Sequence, residues 1–247
     1  MNFSEFYANS YDKIHASKVY SEEANQIIEF VHKQFPSSKN LKVLDFGCGT
    51  GVHLAELANE SYELAGYDPN EHMLKVAKKN FPQLHLTSDH SAIQGEMDLV
   101  YSIFDVTSYQ VTAEDLEKFF CLIASKLRIG GVVALDGWHH LGVKLDPPQT
   151  RERSFEMDGT RILRRVEPST LDGYRTTSLK ISLINQDTGQ VIANEVHEMR
   201  AFEKEEIFAI ATKVGFNNIY FKDGKNWTRN LDENSWRFMM SAEYCPN

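Results

Sequence analysis

The stretch KVLDFGCGTG, running from Lys42 to Gly51, constrains the chain most. Val43, Leu44 and Phe46 form an apolar run too short for a helix, three glycines follow at once, and His53, Leu54, Leu57 and Ala58 then recur at helical spacing. Strand, glycine turn and helix are the reading. Glycine lacks a side chain and tolerates unusual dihedrals, so the peptide groups of such a turn can approach a ligand closely. The unit then repeats. ELAGYD ends a second strand, Asn70 stands where it would cap a helix carrying Met73, Leu74 and Ala77, and LHLTSD follows Phe81-Pro82 as a third strand. Strands alternating with helices imply a parallel sheet with helical crossovers, an α/β chain.

Further along, MDLVYSIF reads as a fourth strand and GVVALDGW as a fifth. Between them Thr112 would cap a long helix whose Leu116, Phe119, Phe120, Ile123 and Leu127 share one face and which Gly130-Gly131 would stop. Upstream, Ser21 with Glu22 and Glu23 marks a helix start, with Ala24, Ile27, Ile28 and Val31 at helical spacing as far as Pro36. From about Leu141 to Ala201 the pattern alternates, as in TRILRRVE, YRTTSLKISLIN and QVIANEVHEMRAF. Asp158-Gly159, Asp172-Gly173 and Asp187-Thr188-Gly189 supply the turns of an antiparallel insertion. A helix over Glu203 to Val214, a Gly215 stop, NNIYFK and a strand in SWRFMMSAEY complete the pass.

Composition narrows the function classes. The chain has 247 residues, 42% hydrophobic and 25% charged, which suits one elaborated globular domain. A net charge of -9 argues against non-specific binding of nucleic acid or anionic membrane, both of which are held mainly by clustered Lys and Arg. The start, MNFSEFYANSYDKIH, has no basic and apolar signal pattern, and no stretch approaches about 18 consecutive apolar residues. Cys48, Cys121 and Cys245 are few, odd in number and far apart, so reduced thiols and a cytoplasmic location are expected.

The turn suits a bound nucleoside. A nicotinamide site would read GxGxxG, whereas the third glycine here comes one residue early, at Gly51, and Val52 holds the next position. Asp68 ends the second strand, where a carboxylate could accept from both ribose hydroxyls. VLDFGCGTG, the acid-ended second strand, SDHS after the third, SIFDVTSY after the fourth and the glycine pair before the fifth together closely resemble the class I S-adenosylmethionine-dependent methyltransferases. That resemblance implies a Rossmann-like sheet with helices on both faces and an antiparallel β insertion after the fifth strand. It also implies that Gly47, Cys48 and Gly49 line the methionine half of S-adenosylmethionine while Asp45 orients its amino group. Asp68 would hold the ribose, Pro69 and Met73 the adenine face, Asp89 and His90 its edge, and Ser102 and Phe104 the sulfonium side. For Met73 and Cys48 plain packing explains the residue equally well.

Within that family the chain is most similar to N-methyltransferases of nucleotide-linked amino sugars, through Tyr11-Asp12, Lys18-Val19-Tyr20, GTGVHL and the insertion. This implies residues 1–40 as an N-terminal helical lid, 41–140 with 201–247 as the cofactor-binding core, and 141–200 as an insertion covering the active site. Tyr11 and Tyr20 would contact cofactor or substrate, and Tyr109 would face the substrate. Methyl transfer is an in-line displacement that asks mainly for alignment and exclusion of water, although an amine must arrive unprotonated. His139 and His140, just beyond the fifth strand, are candidate bases. On an extended segment adjacent histidines point to opposite sides, and with Asp136 they lack metal-ligand spacing, so no metal is expected. Arg151, Arg153, Arg161, Arg164, Arg165 and Arg175 suit a phosphate or carboxylate acceptor, while interleaved acids offer ordinary ion pairing instead. The expected partner is a small-molecule acceptor, the insertion being equally suited to a homodimer contact. Methylation of a hydroxyl and a non-catalytic S-adenosylmethionine-binding module are the competing readings.

Overall fold

The computed structural model describes residues 3–36 and 40–246; positions 1, 2, 37–39 and 247 of the ranges expected above lie outside the described residues. Strand β1 (Leu41–Phe46) lies between β2 (Tyr62–Tyr67) and β4 (Met97–Ser102), both parallel to it. Strand β3 (His85–Thr87) pairs with β2, and β5 (Leu127–His139) with β4. On the far side of β5, β11 (Arg237–Tyr244) runs antiparallel, followed by β10 (Phe216–Asp223). The order reverses between β1 and β4, which opens a crevice at their C-terminal ends.

Helices cover both faces. On one, α5 (Ala113–Ala124) and α7 (Lys204–Val214) bury Leu116, Phe119, Phe120, Ile123 and Ile207 against β4, β5, β10 and β11. On the other, α2 (Tyr20–Gln34) and α3 (Val52–Glu56) place Ala24, Ile27, Val31 and Leu54 over β1 and β4. Each such large aliphatic or aromatic side chain contributes roughly 1.5–3 kcal/mol by leaving water. The long β5 explains how the insertion joins. Its pairing with β4 ends at Leu135, and Trp138 and His139 beyond it pair with Ala201 and Phe202 of β9 (Val191–Phe202). β9 continues antiparallel into β8 (Thr176–Asn185), β7 (Thr160–Leu171) and β6 (Arg151–Met157), so the insertion extends the main sheet. Asp158 and Gly159 both have positive φ, 52° and 75°, the tight hairpin geometry that an Asp-Gly pair favours.

The Rossmann-like α/β class with its antiparallel insertion is therefore the fold observed, with local departures. The helix capped by Thr112 ends at Ala124 without help from the glycine pair, which lies inside β5. There a Cβ on Gly131 would meet the Met97 carbonyl at 2.8 Å, beside the register shift between β4 and β5. α2 starts at Tyr20 and has no side-chain cap, so Ser21 does not perform the capping its position suggests. His140 opens a short helix, α6 (His140–Leu145), so the two histidines do not share an extended segment. Among the described residues no helix is long and apolar enough to cross a membrane.

Candidate active site at the glycine turn

After β1 the chain passes through Gly47, Gly49 and Gly51 with φ of 97°, 54° and 79°. The N–H groups of Gly47 and Cys48 both donate to the Tyr67 carbonyl, at 2.7 and 3.0 Å, tying the turn to the end of β2. Asp68 completes the clamp. Its Oδ2 accepts from the Gly49 N–H at 2.9 Å and its Oδ1 from the Asn70 N–H at 2.8 Å, while Asn70 caps α4 (Glu71–Asn80) by accepting from Met73 N–H at 3.0 Å. Burial raises the Asp68 carboxyl above the usual carboxylate range, against the lowering effect of those two N–H groups. Asp45, buried in β1, is pushed up to about 8 by desolvation. A Cβ on Gly47 would come within 2.7 Å of Val106, whereas one on Gly49 would meet nothing within 4 Å. The Gly49 face is bare and opens on a cavity of about 170 Å³, room for a ligand group rather than for single waters.

The second wall follows β4. Phe104 and Asp105 both have φ of 67°, a left-handed conformation that costs a non-glycine residue on the order of 1–3 kcal/mol. Buried polar contacts hold it. Asp105 N–H donates to Asp136 Oδ1 at 2.8 Å, and Ser102 Oγ donates to the Phe46 carbonyl at 2.6 Å. Behind them Arg237 faces three carboxylates, Asp136 at 3.3 Å, Glu23 at 3.6 Å and Asp105 at 3.8 Å. Glu23 also meets Lys18 and His53, each at 2.7 Å, and the Lys18 ammonium sits 3.3 Å from the centre of the Phe104 ring. Burial would raise Glu23, but His53 and Lys18 hold it down to about 2. Burial carries Asp136 up to about 7 despite Arg237.

The insertion and α1 (Glu5–Ile14) close the remaining sides. Tyr109 Oη lies 2.9 Å from His197 Nδ1, and the His197 ring packs 4.9 Å from that of Phe3. Burial, then Arg164, lowers His197 to about 4, which leaves it neutral near pH 7; burial raises the Tyr109 and Tyr11 phenols well above their ordinary value. Arg164 Nη2 reaches Tyr7 Oη at 3.5 Å, and its buried Nε has no hydrogen-bond partner. α1 is fastened to the core by Thr50 Oγ1 donating to Asp12 at 2.6 Å, by Asn70 Nδ2 donating to the Phe3 carbonyl at 3.1 Å, and by Ser4 bonded to Glu195.

Of the residues singled out from sequence, Tyr11, Gly47, Gly49, Asp68, Met73, Phe104 and Tyr109 line this one cavity. Asp45, Cys48 and Ser102 are buried behind it, and Tyr20 packs on His53 with its ring centre 4.9 Å away. Pro69, Asp89 and His90 are exposed, with Asp89 accepting from Ser91 N–H and Oγ at 2.8 and 2.6 Å. His139 and His140 are not among the lining residues. His139 Nδ1 is 2.9 Å from the Ser235 carbonyl, and His140 Nε2 is 3.0 Å from that of Gly173. Of the six arginines, Arg164 lines the cavity, whereas Arg165 meets Glu152 and Glu167, and Arg175 meets Glu203 and Glu206. Asp105, Trp138, His15 and His197, which the sequence reading does not assign to the site, also line it. For His197 a signal existed: it shares the inward face of β9 with Met199, which also lines the cavity.

A family model described as "Methyltransferase domain" matches residues 43–131. The chain is 25% identical to the dTDP-4-amino-2,3,4,6-tetradeoxy-D-glucose N,N-dimethyltransferase of Saccharopolyspora spinosa, over 91% of its own length and 90% of that protein's. It is 29% identical to the dTDP-3-amino-3,4,6-trideoxy-alpha-D-glucopyranose N,N-dimethyltransferase of Streptomyces venezuelae, over 88% and 93%. A solved structure of a S-adenosylmethionine-dependent methyltransferase from Clostridium acetobutylicum shares the fold, with a TM-score of 0.79 at 23% identity and coverage of 97% of this chain and 98% of that one.

Proposed function

The chain is a class I methyltransferase that uses S-adenosylmethionine, and from that premise we propose that it methylates the amine of a small anionic acceptor, a nucleotide-linked amino sugar. One observation carries the reading: the glycine turn and the insertion face a single cavity, and the insertion contributes Arg164 to it. In the β6–β7 pairing Arg164 stands directly opposite Arg153. Like charges so placed repel unless an anion lies between or beside them, and guanidinium groups match phosphate oxygens well. The named relatives act on dTDP-linked amino sugars, which supports the same acceptor class.

The residues fit the cofactor. Each Asp68 oxygen accepts one backbone N–H and keeps a second lone pair for a ribose hydroxyl, and the bare face of Gly49 leaves room for the methionine moiety. When bound, S-adenosylmethionine supplies an electrophilic methyl on a sulfonium. In this reading Gly47, Cys48 and Gly49 border the methionine portion, with the buried Asp45 turned to its amino group. Met73 and Pro69 border the adenine, with Asp89 and His90 at its outer edge, and Ser102 fixes the β4 end that carries Phe104. Residues 1–40 act as the lid, through Tyr11, and 141–200 cover the acceptor. Tyr109, fixed by neutral His197, orients the acceptor as an uncharged hydrogen-bonding group. The test is incubation with labelled S-adenosylmethionine and three acceptors: a dTDP-amino sugar, its hydroxyl counterpart, and the free amino sugar. Label entering the first, with the product mass showing N-methylation, is expected. Equal transfer to the free sugar would remove the anionic requirement, and transfer to the hydroxyl compound alone would replace the amine reading.

A further inference from the structure

We propose that Asp105 is a catalytic carboxylate: it receives the acceptor's ammonium group and takes its proton before methyl transfer. This rests on the amine reading above. Two acids line the cavity, and Asp68 already accepts from two backbone N–H groups. Asp105 differs. Its Oδ1 is buried without a hydrogen-bond partner, with Arg237 no nearer than 3.8 Å, while the side chain as a whole keeps 20% of its surface exposed, against 5% for Asp136.

The charges around it do not balance. Glu23, Asp105 and Asp136 face two cations, Arg237 and Lys18, and burial lowers the pKa of His53. Fully ionised, the three would leave one negative charge unmatched, and Asp105 is the member of the three that lines the cavity. Burial acts in the same sense, holding Asp105 and Asp136 above the ordinary carboxylate range against the opposing pull of Arg237. An incoming ammonium supplies the missing charge. A proton passed to Asp105 then relieves the surplus: the O–H bond forms, and the electron pair of the broken N–H bond stays on nitrogen. That pair forms the N–CH3 bond as the CH3–S bond breaks, its electrons remaining on sulfur, to give a methylated ammonium and a neutral thioether. Of the other candidate bases, His139 and His140 do not line the cavity, Tyr109 is bonded to His197, and burial lowers His15 to about 3 and His197 to about 4, too weakly basic to take a proton from an ammonium.

The backbone shows how to test this. Asp105 has φ of 67°, which Asn tolerates better than other residues with side chains, so Asp105→Asn removes the charge and keeps the shape. Calorimetry compares S-adenosylhomocysteine with sinefungin, an analogue in which a carbon bearing an ammonium group replaces the methyl-bearing sulfur. Wild type should prefer sinefungin, and Asp105→Asn should lose about tenfold or more in sinefungin affinity while S-adenosylhomocysteine binds as before. With a dTDP-amino sugar as acceptor, kcat should fall in the variant and recover as pH rises, because more amine then arrives unprotonated. Should Asp105→Asn not fold, Asp105→Gly, which adopts the same φ freely, gives the same sinefungin readout. An unchanged preference for sinefungin in either folded variant overturns the assignment to Asp105 and leaves the amine reading intact. Wild-type transfer to the hydroxyl compound alone overturns the amine reading, and the proton step with it.

Discussion

At the scale of single residues, Asp68 joins folding to binding, because the carboxylate proposed for the ribose also holds the turn around it. Asp68→Asn replaces one acceptor oxygen with an NH2 group that cannot accept from either Gly49 or Asn70, leaving a buried N–H unpaired. Urea unfolding should show a loss of about 1–3 kcal/mol, and calorimetry a fall of about tenfold or more in S-adenosylhomocysteine affinity. Unaltered affinity in folded protein would remove the ribose role. The glycines divide by what a methyl group would meet. Gly47 has φ of 97°, and a Cβ there would stand 2.7 Å from Val106, whereas Gly159 has φ of 75° and open space. Gly47→Ala therefore combines strain with a clash and should cost more than the roughly 1–2 kcal/mol of strain expected for Gly159→Ala. Equal losses in the two denaturation curves would show that Val106 gives way. Gly47, Gly49 and Asp68 were legible in the sequence because each is required by the local chain path. His139 and His140 do not line the cavity: strand-end position says which region a residue reaches, while the Ser235 and Gly173 carbonyls that hold one nitrogen of each come from distant segments.

The elements depend on a few polar fastenings that tie α1 over the cavity. Asn70 serves two of them, capping α4 at Met73 N–H and holding the Phe3 carbonyl with its amide. Asn70→Ala should cost about 1–2 kcal/mol by the cap alone. Limited proteolysis should also cut within Glu5–Ile14 faster than in wild type, while Thr112→Ala, which uncaps α5 far from α1, should lose comparable stability without that change. Identical cleavage rates in the two variants would show that Asn70 does not secure α1. Element identity was readable wherever a local pattern decides it, as in β1 with its turn, the Asn70 and Thr112 caps, the Gly215 stop and the Asp158-Gly159 hairpin. It failed where a neighbour decides. Gly130-Gly131 looks like a helix stop in one dimension, yet the close Met97 carbonyl makes it part of a strand pair. The walls that Arg164 and His197 supply come from strands remote in sequence, so their meeting with the turn could be inferred only through the family resemblance.

Across the whole molecule, titratable groups buried where α1, the insertion and the core meet set opposing dependences on pH. Burial lowers His15 to about 3 and His197 to about 4, from an ordinary 6.5, so the unfolded chain binds protons that the folded one refuses. Their stabilising contribution is full above 6.5 and is lost as pH falls towards those values. Glu23, held to about 2 by His53 and Lys18 against burial, adds stability above 4.5 that fades between 4.5 and 2. Asp45 and Asp136 have the opposite sign. Raised by burial to about 8 and about 7, they contribute fully below 3.8 and lose that contribution as pH rises. Between about 4 and 6.5 the rising slopes of the buried histidines, His53 and His139 also being lowered, oppose the falling slopes of the buried carboxyls, Asp12, Asp68 and Asp105 also being raised, so the ligand-free protein should show a broad plateau in melting temperature there. It should fall below about 4, and again above about 6.5 where the raised carboxyls are still titrating and the histidines no longer oppose them. Replacing His15 and His197 together by Gln removes their rising slopes. Melting temperature in that variant should decline steadily from about pH 4 upward, and a retained plateau would show that the two histidines do not balance the buried carboxyls.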